Sequence, residues 1–225
     1  MKTVVMIPYW EKYRFPDDGI NNRDTLNIGG HSLLERAVRI ANDVENIDNV
    51  IIYSSNESVV KLLDDNIQYS FINRDPDLDD QNASIEDIIE RFLAISDADN
   101  FVLMHPRCPF TRSKSITDCI NKVIKDDYDS AFIATCYKKL AWYEGKPLNY
   151  SLNKGGSTQN VSQLEPVVLE SSSVYVFTRE LFEKTRRRIG INPYIKIVGR
   201  FEGFDIDCVD DYEIAELIVN AGLDV

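Results

Sequence analysis

No stretch of this sequence approaches the ~20 consecutive apolar residues that cross a bilayer. The longest apolar runs, such as Ile51-Ile52 and Phe101 to Met104, are a fraction of that length, so no membrane span is expected. The opening residues Met1 to Ile7 carry one charge and a short apolar stretch that Pro8-Tyr9-Trp10-Glu11 stops. That is too short for a secretory leader and reads as a first strand. Cysteine is scarce and irregularly spaced: Cys108, Cys119, Cys136 and Cys208 lie 11, 17 and 72 residues apart. This spacing matches neither a zinc pattern nor a small disulfide scaffold, so reduced thiols in a cytoplasmic protein are expected. Positive charge is in deficit, with 25 Lys and Arg against 37 Asp and Glu and a net charge of −12. Broad attraction to nucleic acid or to an anionic membrane is thereby disfavoured, and an anionic ligand has to be met by local basic residues, helix N-termini or a metal. Internal repeats and low-complexity tracts are missing too, so nothing suggests disorder.

What is present fits one compact α/β domain: 225 residues, 44% of them apolar and 10% aromatic, can bury a core. Short β-branched or aromatic runs at Thr3 to Ile7, Val50 to Ser54, Tyr69 to Ile72, Phe101 to Met104 and Ser130 to Cys136 read as strands. Helical faces alternate with them: Leu33 to Val44; Val59, Val60, Leu62 and Leu63; Ile85 to Leu93; Ile116 to Val123. This rhythm predicts a mostly parallel sheet with helices on both faces. It breaks over residues 137–169, where Gly145, Pro147, Gly155, Gly156 and Pro166 leave no helical period, and an inserted hairpin arm is expected there. Val174 to Phe177 then returns to strand, Arg179 to Arg187 reads as a helix, and Asp210 to Ala221 closes the chain as another.

In such sheets ligands bind beyond the carboxyl ends of the strands, and four polar clusters fall there. Lys12, Arg14 and Arg23 lie in the loop after the first strand, where three cations suit a polyphosphate, although a solvated surface loop is the plain alternative. Arg74 leads into Asp79-Asp80-Gln81-Asn82-Ala83-Ser84, where Ser84 with Asp87 reads as a helix-capping box that leaves Arg74 unexplained. His105 and Arg107 follow the strand ending at Met104, where a lone histidine is more often structural than catalytic. The sharpest cluster is Phe204-Asp205-Ile206-Asp207-Cys208: in extended chain Asp205 and Asp207 point the same way, and their mutual repulsion calls for a cation such as Mg2+. Asp210 is expected to cap the last helix and Asp211 to complement its dipole.

Taken in order, these segments resemble the acylneuraminate cytidylyltransferase family, which includes CMP-sialic acid synthetases and, more distantly, CMP-Kdo synthetases. Arg23-Asp24 with Gly30-His31-Ser32-Leu33-Leu34 is similar to that family's Lys-Asn and Gly-Lys-Pro-Leu-Leu, and Arg74-Asp75-Pro76 with Ala83-Ser84 to its Arg-Pro and Ala-Ser-Ser region. His105-Pro106-Arg107-Cys108-Pro109-Phe110 stands where the family has Gln-Pro-Thr-Ser-Pro-Leu. Leu140-Ala141-Trp142 resembles the entry to its dimerisation arm, Thr158-Gln159 its Thr-Gln, Glu170 to Val176 its Glu-Asn-Gly-Ser-Ile-Tyr-Ile, and Asp205-Ile206-Asp207 its Asp-Ile-Asp. One segment departs from the pattern: the family's glycine-rich phosphate loop is replaced by Pro8-Tyr9-Trp10-Glu11-Lys12-Tyr13-Arg14, whose bulky side chains prevent the close backbone approach that glycine gives.

The resemblance implies a Rossmann-like nucleotidyltransferase fold. Residues 1–136 and 170–225 would form the nucleotide-binding domain, and 137–169 an arm of a homodimer. It further implies a Mg2+-dependent enzyme that transfers CMP from CTP to a small anionic acceptor such as a nonulosonic acid, releasing pyrophosphate. Asp205 and Asp207 would hold the metal; Lys12, Arg14, Arg23, Arg74, Ala83 and Ser84 would meet the nucleotide; His105, Arg107 and Gln159 would meet the acceptor. The competing readings are a GT-A-like glycosyltransferase, whose Asp-x-Asp usually lies nearer residue 100, and a degenerate relative that binds nucleotide without turnover.

Overall fold

The computed structural model describes residues 1–10, 26–80, 82–152 and 160–223. In chain order its elements begin with β1 (Thr3–Pro8), β2 (Asn27–Ile28), β3 (His31–Ser32), α1 (Leu33–Asn42), β4 (Asn49–Ser54), β5 (Ser70–Asn73), α2 (Ile85–Ile95) and β6 (Asn100–Met104). They continue with α3 (Ser113–Lys125), β7 (Ser130–Tyr137), β8 (Trp142–Tyr143), β9 (Lys146–Pro147), β10 (Val167–Thr178), α4 (Arg179–Thr185), β11 (Pro193–Val198) and α5 (Val209–Asn220).

Alternation along each strand divides the interior in two. In β1 Val5 and Ile7 enter one core while Val4 and Met6 enter the other, and Val102 and Met104 part in the same way from Phe101 and Leu103 in β6. A strand apolar on both sides has to be covered on both sides. The first core is closed by Leu34, Ala37, Val38 and Ala41 of α1 and by Ile116, Cys119, Ile120 and Val123 of α3. The second is closed by Ile88, Ile89, Phe92 and Leu93 of α2 and by Phe182 of α4, and rings there meet edge-on, stacked or tilted from Tyr53 through Phe92, Phe101 and Phe177 to Phe182. Burying one such side chain contributes roughly 1.5–3 kcal/mol. A third, smaller core joins Ile28 and Leu33 to Phe110, Ile206, Ala215 and Ile218, which fixes α5 against the start of α1.

The strands form one seven-stranded sheet in the order β11-β7-β10-β6-β1-β4-β5, with only β10 antiparallel to its neighbours. The chain moves outward from β1 to β4 and β5, then returns to β6 on the opposite side of β1, so the strand order reverses between β1 and β6. That switch opens a crevice at the carboxyl ends of the strands.

Several local expectations change. The face read from Val59 to Leu63 forms a 3-10 helix, Glu57–Leu62, in which only Val59 is fully buried, so it lacks the apolar stripe that holds an α-helix against a sheet. Strand β11 is an additional edge strand, half-buried and interrupted by Lys196. Strand β10 starts seven residues earlier than the Val174 expected, and Val167 to Glu170 pair with Tyr137 to Ala134. The ends of the 137–169 segment thus belong to the central sheet, and a small β8–β9 hairpin lies between them. Among the described residues no helix is long and apolar enough to cross a membrane.

Candidate active site

Three segments reach the crevice: Tyr9-Trp10 after β1, His105 to Cys108 after β6, and the chain entering α5. The His105–Cys108 segment is carried by a bulge in β10, where the register slips between Glu170 and Tyr175. The His105 N–H donates to Ser173 O at 2.9 Å and the Cys108 thiol to Ser171 O at 3.2 Å, while the hydroxyls of Ser171 and Ser173 bond each other at 2.7 Å. Ser172 sits at φ 50°, a left-handed conformation that glycine adopts freely and serine holds at a cost of about 1–3 kcal/mol. It occupies the glycine place of the Asn-Gly pair in the family resembled. Burial, with the Asp205 carboxylate next, pushes the Cys108 thiol well above its ordinary range, so it is a protonated packing group and no nucleophile.

Asp205 and Asp207 emerge side by side because Ile206 between them is wholly buried in the third core, and the Ile206 N–H is tied to Arg107 O at 3.0 Å. One guanidinium receives both carboxylates: Arg107 Nε lies 3.0 Å from Asp205 Oδ1 and Nη1 lies 2.7 Å from Asp207 Oδ1. The pair is graded in exposure, with side chains 18% accessible at Asp205 and 62% at Asp207. Upstream, a Cβ on Gly203 would fall 2.4 Å from the Thr135 side chain, so only glycine lets the turn into this segment lie against β7. Downstream, Asp211 accepts from the N–H groups of Asp207 and Cys208 at 3.0 Å each and closes the N-terminus of α5. The expectation for Asp210 is corrected here: Cys208 is the N-cap, and the carboxylate that closes the box is Asp211.

Arg74 is wholly buried. Its Nη2 donates to Tyr9 O at 2.8 Å and to Asp79 Oδ1 at 2.5 Å, its Nη1 to Tyr53 O at 3.4 Å, and Trp10 covers it at 4.8 Å. Desolvation lowers the pKa of this guanidinium, and the Asp79 carboxylate opposes the shift. The side chain clamps the ends of β1 and β4. Ser84 caps α2, accepting from Asp87 N at 3.1 Å while Asp87 accepts from Ser84 N at 2.8 Å, which is the capping box expected. The Ala83 N–H is held by Asp80 O at 3.0 Å, and its side chain packs against the second core. Lys12, Arg14, Arg23 and Gln159 lie outside the described residues.

The structure therefore brings Asp205, Asp207 and Arg107 together beyond the end of β6, with His105 on the same segment two residues before Arg107. The bridging role of Arg107 was not visible in the sequence, since 100 residues separate it from Asp207.

A profile of the cytidylyltransferase family matches residues 14–175. The chain belongs to the cytidylyltransferase family. This makes it a nucleotidyltransferase, in line with the resemblance drawn from the sequence. Among solved structures, CMP:2-keto-3-deoxy-manno-octonic acid synthetase complexed with CTP has a similar fold at TM-score 0.68 and 14% identity, covering 99% of this chain and 100% of that one. The bifunctional IspDF from Campylobacter jejuni gives 0.68 at 11% identity over 95% of this chain, which spans 54% of that protein. A 4-diphosphocytidyl-2C-methyl-D-erythritol synthase from Anaerococcus prevotii gives 0.59 at 16% identity, covering 97% and 96%. At these identities the likeness shows the fold, a Rossmann-like nucleotidyltransferase sheet. No curated protein matches the sequence.

Proposed function

We propose that this cytidylyltransferase transfers CMP from CTP to a small anionic acceptor of the sialic or Kdo type. An acceptor hydroxyl oxygen attacks the α-phosphorus of CTP, the bond from that phosphorus to the bridging oxygen breaks, the hydroxyl proton is lost, and pyrophosphate leaves. The observation that carries the reading is the convergence of Asp205 and Asp207 at the strand switch of a chain in this family.

The residues fit a divalent cation: Asp205 and Asp207 offer hard carboxylate oxygens that already meet at one cationic group. Asp205 and Asp207 would hold Mg2+, which when bound neutralises phosphate charge as it builds up in the reaction. Ile206 fixes the direction of both carboxylates by its burial, a preorganisation that avoids reordering during reaction. His105 and Arg107, with Gln159, are assigned to the acceptor, whose carboxylate suits a guanidinium fork. Lys12, Arg14 and Arg23 are assigned to the triphosphate, and Ala83 with Ser84 to the nucleoside end.

We further assign the 137–169 segment to a homodimer contact, because Trp142, Tyr143, Leu148 and Leu152, all more than half exposed, are gathered in one short stretch where the Trp142 ring also meets Tyr150, and exposed apolar groups gathered in a patch mark association surfaces. Calorimetric titration tests the nucleotide assignment: CTP with Mg2+ is expected to bind more tightly than UTP, ATP or GTP. Equal binding of all four, or none, would refute it.

A further inference from the structure

Two carboxylates that converge repel each other, and some cation has to lie between them. Here that place is held by a side chain of the protein itself. The Arg107 guanidinium contacts Asp205 and Asp207 through two of its nitrogens at 3.0 and 2.7 Å, and the Arg107 backbone is pinned through its carbonyl to the Ile206 N–H at 3.0 Å. Ile206 is wholly buried, so neither carboxylate leaves the guanidinium easily. The backbone on either side of Arg107 is fixed as well, by the bonds from His105 and Cys108 to the β10 bulge. The Arg107 side chain itself is about one quarter exposed, at the edge of the solvent. In the resembling family the corresponding place is threonine, which has no charge to put there.

We propose that Arg107 is the internal counter-ion of the Asp205–Asp207 pair and competes directly with a divalent cation for the same two oxygens. Metal loading then displaces the guanidinium, which swings into the crevice and becomes the anion-binding group that the acceptor carboxylate needs. The two events are coupled by thermodynamic necessity: whatever favours the released position of Arg107 also tightens the metal, and the reverse. An anionic substrate thus promotes assembly of the metal site, and until one arrives the carboxylates stay neutralised. This coupling rests on the cytidylyltransferase reading, but the competition itself is a property of three side chains and is measurable without any substrate.

The experiment is a titration of the whole protein with Mn2+ alone, following free Mn2+ by its electron paramagnetic resonance signal, for wild type, Arg107→Gln and Arg107→Lys. Losing one charge-assisted competitor changes an equilibrium by about ten- to a hundredfold, so Arg107→Gln is expected to bind Mn2+ at least about tenfold more tightly than wild type. Arg107→Lys keeps the charge and should stay closer to wild type than to Arg107→Gln. The tightening must vanish when Asp205→Asn and Asp207→Asn are added. Arg107→Thr, matching the resembling family, serves if Arg107→Gln does not fold, with melting curves recorded on the same samples. Equal Mn2+ affinity in wild type and the neutral variants would overturn the proposal, as would tightening that survives loss of both aspartates. Absence of CTP binding in the separate nucleotide titration would overturn the functional reading and leave the Mn2+ result standing on its own.

Discussion

Replacing Arg74 by methionine separates its structural task from a direct contact with nucleotide. The side chain is wholly buried, and its two short hydrogen bonds run to Tyr9 O at 2.8 Å and Asp79 Oδ1 at 2.5 Å. Hydrogen bonds of a charged group contribute roughly 1.5–3 kcal/mol each, and the Trp10 ring at 4.8 Å adds about 0.5–2 kcal/mol. The contact to Tyr53 O, at 3.4 Å, is long and adds little. Opposing these is the desolvation of the guanidinium, a penalty of several kcal/mol that methionine removes. Asp79, with its side chain 32% exposed, regains water after the change, so the bond to Tyr9 O is the main one lost. A net loss of about 3 kcal/mol is expected, which for a chain of this length lowers Tm by about 6–12 °C. Urea and thermal unfolding followed by circular dichroism measure it, and Arg74→Lys, which keeps a charge without the fork, should fall between. A loss below about 1 kcal/mol in Arg74→Met would refute the clamp.

Asp205→Asn and Asp207→Asn should each abolish pyrophosphate release while leaving the melting curve close to wild type; near wild-type turnover in both would remove the metal assignment. Gly203→Ala should cost about 1–3 kcal/mol and slow turnover, since a Cβ at 2.4 Å from Thr135 pushes the aspartate segment off β7; unchanged stability and rate would show that the turn has slack. The Asp87 carboxyl is held below its ordinary value of 3.8, first by the Ser84 hydroxyl and then by the Ser84 backbone. A depressed carboxylate stabilises the fold above its unfolded pKa and ceases to as pH falls through the folded one, so the stability gap between wild type and Asp87→Asn should close below pH ~4; a gap independent of pH would contradict the cap. Light scattering at micromolar concentration should give twice the chain mass of 25.8 kDa, and a monomer mass would exclude the dimer.

The elements most legible in the sequence were those whose residues serve one period throughout. Strands β1 and β6 are apolar on both faces, and α1 and α3 carry unbroken stripes, so pattern alone located them. Strand β10 was shortened in the sequence reading because Glu170-Ser171-Ser172-Ser173 looks like loop, whereas those polar residues form the bulge that supports His105 and Cys108. Strand β11 was overlooked because an edge strand with Lys196 in its middle lacks a continuous apolar face. Within the site, the common direction of Asp205 and Asp207 follows from alternation and could be read directly. What binds them could not: Arg107 meets Asp207 only through folding, 100 residues away in the chain, and nothing local to Arg74 shows that Tyr9 O and Asp79 enclose it.

Transfer of CMP is read out by 31P NMR of the protein with CTP, Mg2+ and a panel of sialic-type and Kdo-type acids. Loss of the triphosphate resonances is expected, matched by inorganic pyrophosphate and one phosphodiester resonance from a CMP-linked acid, with at least one member of the panel. Triphosphate that stays intact with every acceptor, in a sample shown to bind CTP, would contradict it.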